Sequence, residues 1–74
     1  MEKLHNITRV RFENEFILID VDGQLLKLKV SEVSQRLANA TNEERNNFSI
    51  SPSGYGIHWP KIDEDLSING LIGK

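Results

Sequence analysis

The chain has 74 residues, no cysteine, and nine Lys and Arg against eleven Asp and Glu, which gives a formal net charge of −2 at pH 7. A single domain of this length buries only about 60% of its unfolded surface, so a partner or a second copy would add stability. The absence of cysteine excludes disulfides and thiolate chemistry and favours the cytoplasm. No apolar run is long enough to span a membrane, and the net charge does not favour general electrostatic binding of nucleic acid. Residues 1–5 lack the apolar core of a signal peptide.

Residues 7–30 predict a three-stranded antiparallel meander, because β-branched and aromatic residues alternate there with turn residues. Asp22-Gly23 is a strong type I′ turn signal, and a second two-residue loop is expected at Asn14-Glu15. These loops define a core face and an opposite face. The predicted core face consists of Val10, Phe12, Ile17, Ile19, Leu26, Leu28 and Val30. The opposite face has an apolar strip of Phe16, Leu18 and Leu25, which is covered by the C-terminal segment, by a partner or by lysine stems.

Two short helices are expected after the meander. Ser31 is the predicted N-cap of the first helix, which should end at Asn39 or Thr41. Its apolar stripe consists of Val33, Leu37 and Ala40. Thr41 then begins a capping box with Glu44, which predicts a second helix to about Asn47.

The C-terminal third predicts one strand and a tail that folds back onto the core. A possible strand at residues 49–51 breaks at residues 52–54, and a period-of-two strand that Pro60 ends then follows. Its alternating large residues are Tyr55, Ile57 and Trp59. Asp65 or Ser67 is expected to cap one helical turn in the tail. The sequence therefore predicts a single α+β domain over residues 1–74, with a small antiparallel sheet (the N-terminal meander plus a C-terminal strand) packed against one or two short helices.

The constellation most like a metal or acid–base site is His58 with Asp63, Glu64 and Asp65. Consecutive carboxylates diverge, however, and no second histidine follows at helical spacing. A structural histidine beside solvated acids is therefore the favoured interpretation, and no metal or other cofactor is expected. No serine lies in a nucleophile elbow, so the sequence does not support a Ser-His-Asp triad.

Two other features bear on binding. Tyr55 and Trp59 belong to the residue types that anchor interfaces, although a lone Trp in a small protein is more often a core residue, and this is the interpretation favoured for Trp59. A basic patch on the outer face of the meander resembles a small nucleic-acid platform, but Glu13 and Asp20 dilute its charge. The basic patch consists of Arg9, Arg11, Lys27 and Lys29.

The segment from Tyr55 to Leu71, with the sequence YGIHWPKIDEDLSINGL, resembles the signature of a bacterial and phage-borne family, Domain of Unknown Function 2442. The turn at residues 21–23 and the stretch Leu37-Ala38-Asn39-Ala40-Thr41, followed by Arg45, are similar to that family too. The resemblance implies a compact α+β fold. Some relatives are fused to a helix-turn-helix domain, and many are encoded beside a small toxin-like protein. Since this chain ends at Lys74, no separate DNA-binding domain and no direct operator binding are expected.

We therefore expect a bacterial, cytoplasmic, non-enzymatic protein-interaction module, antitoxin-like, whose partner is a small toxin-like protein encoded nearby. Its acids would face a basic, RNA-binding surface of that partner. The predicted contact residues are Tyr55, His58, Trp59, Asp63, Glu64 and Asp65. A homo-oligomer formed through a strand edge is a further expectation. The alternatives are a small nucleic-acid-binding regulator that uses the basic patch and a metal-dependent hydrolase or nuclease that uses His58 with residues 63–65.

Overall fold

The computed structural model describes residues 5–52 and 54–72, in which two three-stranded antiparallel sheets are joined and flanked by four short helices. The N-terminal sheet consists of β1 (Ile7–Glu13), β2 (Phe16–Val21) and β3 (Gln24–Lys29). The helices are α1 (Val30–Val33), α2 (Gln35–Ala38), α3 (Asn42–Arg45) and α4 (Ile68–Leu71). The C-terminal sheet consists of β4 (Ser49–Ile50), β5 (Gly56–Trp59) and β6 (Glu64–Ser67). The predicted α+β class is confirmed, but the C-terminal strand belongs to a second sheet and does not extend the first. The predicted turn residue Ser53 and the N-terminal residues 1–4 lie outside the described residues.

The two hairpins of the N-terminal sheet have the predicted register. Phe12 pairs with Ile17 across the first hairpin, and Ile19 pairs with Leu26 across the second. The loops tolerate this geometry because Asn14, Asp22 and Gly23 adopt positive φ angles of 53°, 54° and 79°, which Asn, Asp and Gly accept most readily. The alternation of side chains therefore decides which face of this sheet meets the core.

Trp59 on β5 lies at the centre of the core and is fully buried, as the core interpretation predicted. Its ring contacts Phe12 edge-on at 6.3 Å between centroids and Phe48 at 6.0 Å. Its Nε1 donates a hydrogen bond of 2.9 Å to the carbonyl oxygen of Arg45, so the polar end of the indole is satisfied as well. The other fully buried large side chains are Ile17, Ile19, Val30, Leu37, Ile57 and Ile68.

The first helix differs from its prediction, because Ser31 caps nothing and Ser34 interrupts the helix. Ser34 has extended backbone angles and is the N-cap of α2, where its Oγ accepts a 3.1 Å hydrogen bond from the amide of Leu37. The same hydroxyl donates to the carboxylate of Glu64 on β6. A buried serine that is bonded in both directions is more stable at a helix boundary than inside a helix. Of the stripe predicted for one helix, Val33 therefore lies in α1, Leu37 in α2, and Ala40 after the end of α2.

The second helix begins as predicted. The side chain of Thr41 accepts from the amide of Glu44 at 3.1 Å, and the side chain of Glu44 accepts from the amide of Thr41 at 2.9 Å, which completes the capping box. The guanidinium of Arg45 donates to the carbonyl oxygens of Leu37 and Ala38 and lies 5.2 Å from the ring centroid of Phe12. Arg45 thus closes the end of α2 and covers the core. Among the described helices, none has the length and apolarity needed to cross a bilayer.

Two glycines on either side of Tyr55 have no room for a side chain. A Cβ on Gly54, whose φ is +74°, would lie 1.8 Å from the carbonyl oxygen of His5. A Cβ on Gly56 would lie 2.2 Å from the carbonyl oxygen of Leu66 on β6. In both cases the obstacle is backbone, which cannot rotate away. The chain before and after Tyr55 is therefore held against two other segments of the fold.

Replacement of Gly56 by alanine should destabilise the protein by about 1–3 kcal/mol or more, because β5 and β6 would have to separate to admit the new methyl group. Urea unfolding followed by the fluorescence of Trp59 measures this change. The matched control is Gly70→Ala in α4, where the nearest atom to the new Cβ is 3.7 Å away; its free energy of unfolding should stay the same or rise by up to about 1 kcal/mol. Equal stability of Gly56→Ala and wild type would contradict the packing described for this strand.

Candidate functional site

A groove of about 730 Å³ lies against the C-terminal sheet. We call it the β5 groove, and its lining includes Ile50, Pro52, Tyr55, His58, Asp65 and Ser67. Its volume is in the range of small-molecule and peptide pockets. His58 reaches it because its chain neighbours Ile57 and Trp59 point into the core, so the residue between them points the other way. The groove therefore uses the face of β5 that the core does not.

His58 and Asp65 form a cross-strand pair in this groove. They are register partners on β5 and β6, and Nδ1 of His58 lies 2.6 Å from Oδ1 of Asp65. A carboxylate only accepts hydrogen bonds, so Nδ1 carries the proton in this pair. Ser49 is the register partner of His58 on the other side. Within the described chain no residue bonds Nε2 of His58, which leaves that nitrogen able to bond a ligand.

Tyr55 is 55% exposed and lies just outside β5, the strand in which the sequence placed it. It precedes the first residue of β5, so the alternation that buries Ile57 and Trp59 does not extend to it. Its carbonyl oxygen accepts a 3.0 Å hydrogen bond from the amide of Ile68, and tightly packed glycines flank it. Tyr55 is thus a large aromatic side chain at the surface on a fixed backbone, which lowers the entropy lost when such a residue binds.

The predicted acidic loop is a turn followed by a strand, and its three carboxylates are separated. Asp63 is in the turn with a φ of 54°, and its carbonyl oxygen accepts a 2.7 Å hydrogen bond from Arg36. Glu64 begins β6 and bonds to the buried Ser34. The β5 groove therefore brings together three of the six predicted contact residues, namely Tyr55, His58 and Asp65, and leaves out Trp59, Asp63 and Glu64. Trp59 is wholly inside the core and offers no surface to a partner.

The described residues contain no group of three or more His, Asp and Glu side chains that converge on one point. His58 and Asp65 provide one nitrogen and one carboxylate, whereas a hydrolytic zinc site uses three protein ligands. The pair in the groove is thus suited to bonding a polar group of a ligand more than to holding a metal ion.

The basic patch on the outer face of the N-terminal sheet has nearby partners for its cations. Arg11 pairs with Glu13 at 2.6 Å, and the ammonium of Lys27 lies 4.7 Å from the ring centroid of Phe16. Arg9 is the register partner of Asp20, and Lys29 lies 3.9 Å from Glu15. Leu18, with Arg11 and Lys27 as register partners, is only 5% exposed. The sequence left open whether the apolar strip is covered by the C-terminal segment, by a partner or by lysine stems. Over Phe16, the cover is the side chain of Lys27 from the same sheet.

His5, Asp22 and Asn69 form an arrangement that the sequence did not indicate, and we call it the histidine clasp. Nδ1 of His5 lies 2.8 Å from Oδ2 of Asp22, and Nε2 lies 2.7 Å from Oδ1 of Asn69. Both partners are oxygen acceptors, so both ring nitrogens donate and the imidazolium form is favoured. The hydrogen bonds to Asp22 and Asn69 raise the pKa of His5, and the hydrogen bond from His5 lowers the pKa of Asp22. The clasp joins the start of the described chain, the β2–β3 turn and α4.

Comparison with known proteins places this chain in a family. A family model described as "Protein of unknown function (DUF2442)" matches residues 7–74, and the chain belongs to that family. A crystal structure of a protein of unknown function from Rhodospirillum rubrum ATCC 11170 is similar over 93% of this chain and 86% of that chain, with a TM-score of 0.75 and 25% sequence identity. None of the curated protein sequences matches significantly. The fold is therefore shared with a solved relative, and neither comparison names an activity.

The histidine clasp should make stability depend on pH in a defined window. The contribution of Asp22 is present above its ordinary pKa of 3.8 and is lost as pH falls through its lowered pKa in the folded state. The contribution of His5 is present below its ordinary pKa of 6.5 and is lost as pH rises through its raised pKa in the folded state. The difference in unfolding free energy between wild type and His5→Gln should therefore be largest between pH 3.8 and pH 6.5, and it should shrink at higher pH.

The control for this measurement is Asp22→Asn, because Asn accepts the positive φ of the turn and removes only the charge. Denaturant unfolding at a series of pH values compares the three proteins. Above pH 6.5, Asp22→Asn should lose less stability with rising pH than wild type does. A stability difference between wild type and His5→Gln that is constant from pH 4 to pH 9 would contradict the ionic character of the clasp.

Proposed function

We propose that this chain is a non-enzymatic protein-binding module whose β5 groove takes a segment of a partner protein that is apolar at one end and basic at the other. The observation that carries the proposal is the placement of Tyr55, which is more than half exposed between two glycines packed against backbone. Among the described residues, no hydrogen bond or ring contact involves the side chain of Tyr55. A tyrosine held in this way is typical of a binding anchor.

The apolar end of the groove supplies the contact area. Tyr55 is 55% exposed, and Pro52 is exposed beside it in the same lining. A partner that covers these two side chains would bury apolar surface, at about 25 cal/mol per Å². A partner with one or two apolar side chains on an extended segment fits this end of the groove.

The polar end of the groove favours a basic group. Asp65 projects an exposed carboxylate on β6, and His58 beside it has a free Nε2 among the described contacts. The formal net charge of −2 adds a weak attraction for a basic partner. A lysine or arginine of the partner next to Asp65 would therefore set the orientation of the bound segment.

An antitoxin-like role in a bacterial cytoplasm is the finer form of this proposal. Its support is the family resemblance, in which many relatives are encoded beside a small toxin-like protein, together with the fit between the exposed carboxylate of Asp65 and a basic RNA-binding surface. Nucleic-acid regulation is less well supported, because the cations of the basic patch have acidic or aromatic neighbours in their own sheet. The product of the neighbouring gene is thus the first partner to test.

Tyr55→Ala should weaken binding to that partner by about 30-fold or more, because loss of a hot-spot aromatic costs about 2 kcal/mol or more. Co-expression and tagged pull-down identify the complex, and calorimetry measures its dissociation constant. The matched control is Leu25→Ala, which removes an equally exposed large side chain, 52% exposed, from the other sheet and should leave binding unchanged. The proposal is wrong if neighbouring gene products do not bind or if Tyr55→Ala binds as wild type does.

Asp65→Asn should slow association and reduce the dependence of the association rate on salt, because it removes the charge that attracts the basic end of the partner segment. The control is Glu43→Gln on α3, an exposed carboxylate outside the groove. Stopped-flow association at two ionic strengths distinguishes the two variants. Equal salt dependence in Asp65→Asn and Glu43→Gln would show that net charge alone, and not the groove, attracts the partner.

A further inference from the structure

The outer edge of β4 has backbone groups that point away from its own sheet. The amide of Ser51 donates a 3.0 Å hydrogen bond to the carbonyl oxygen of Gly56, so these two residues form a hydrogen-bonded pair. In an antiparallel ladder such pairs alternate with non-hydrogen-bonded ones, which makes Ile50 and Ile57 a non-hydrogen-bonded pair. The amide and carbonyl of Ile50 therefore face outward. No residue in the described part of the chain hydrogen-bonds to them.

This edge also lacks the charges that normally prevent strand edges from pairing. Residues 46–60 contain no Lys, Arg, Asp or Glu, and this is the longest such run in a chain in which 27% of residues are charged. Natural edge strands are usually protected by charged side chains, by proline or by their short length. Within residues 5–52 and 54–72, the short length of β4 and Pro52 at its end protect the edge. An uncharged edge suits self-pairing in particular, since a two-fold axis would place any charge close to its own copy.

We infer that β4 pairs antiparallel with β4 of a second copy of this chain, so that two C-terminal sheets form one continuous six-stranded sheet. The two-fold axis passes beside Ile50. The amide of each Ile50 donates a hydrogen bond to the carbonyl oxygen of Ile50 in the other copy. Both Ile50 side chains, each 37% exposed, then lie next to each other. Pro52 limits the pairing to a few residues, so the dimer is weak and depends on concentration.

The dimer leaves the polar end of the β5 groove open. His58 and Asp65 are on β5 and β6, one and two strands away from the new interface. The two grooves then lie on a single sheet, which would let a dimeric or repetitive partner bind both copies at once. This inference uses the edge of the sheet, whereas the proposed function uses its face, and each can fail without the other.

Sedimentation equilibrium of the full chain, at concentrations from about 10 µM to about 1 mM, tests for the dimer. A dissociation constant of about 1 mM corresponds to an association free energy of about −4 kcal/mol. Ile50→Pro should be monomeric across this range, because proline removes the outward amide that the intramolecular ladder does not use. Ile50→Lys should be monomeric as well, since it brings two like charges together at the axis. The controls are Ile50→Val, which keeps the amide and most of the apolar surface, and Leu25→Lys on the N-terminal sheet; both should dimerise as wild type does.

A second measurement separates loss of pairing from loss of folding. Hydrogen exchange at the amide of Ile50 in the wild-type protein should slow at the high end of the concentration range and become fast on dilution, while the fluorescence of Trp59 stays constant. A wild type that is monomeric at about 1 mM overturns the inference. So does an Ile50→Lys variant that dimerises normally, or an Ile50 amide whose exchange does not change with concentration.

Discussion

The fold depends on the burial of Trp59, because this side chain is where all parts of the molecule meet. Phe12 from the N-terminal sheet and Phe48 before β4 contact its ring, and the backbone of Arg45 at the end of α3 accepts its only hydrogen-bond donor. Arg45 in turn covers Phe12 and closes α2 with two hydrogen bonds. This aromatic cluster connects the two sheets, together with the buried aliphatic residues that both sheets contribute to the common core. Loss of the indole would remove packing from both sheets and leave the carbonyl of Arg45 without a partner.

The segment that carries Trp59 therefore has a structural side and a surface side. Ile57 and Trp59 point into the core, while His58 between them points into the β5 groove. Because the side-chain period of a strand is two, neither set can change face without moving the other. This coupling explains how a short stretch can stabilise the domain and still present a constant set of groups at the surface.

The sequence predicts those features of this fold that depend on neighbours in the chain. Both hairpin registers, the capping box at Thr41 and the burial of Trp59 follow from local alternation and turn chemistry. The break at Ser34 was missed because its partner Glu64 is 30 residues away. Glu64 and Asp65 belong to β6 because they pair with Trp59 and His58 on β5, a pairing that the sequence prediction of solvated acids did not include. The histidine clasp, whose partners are 17 and 64 residues apart, has no local signal at all.

The histidine clasp and the two flanking glycines, Gly54 and Gly56, together hold the backbone of Tyr55 in place. The backbone of His5 occupies the space beside Gly54, and the side chain of His5 bonds Asn69 on α4. The first residue of that helix, Ile68, donates its amide to the carbonyl of Tyr55. His5 thus restrains the chain on both sides of Tyr55, through contact before it and through α4 after it. Because the backbone on both sides of Tyr55 is held in the folded protein, the proposed binding would cost less conformational entropy than binding through a flexible loop.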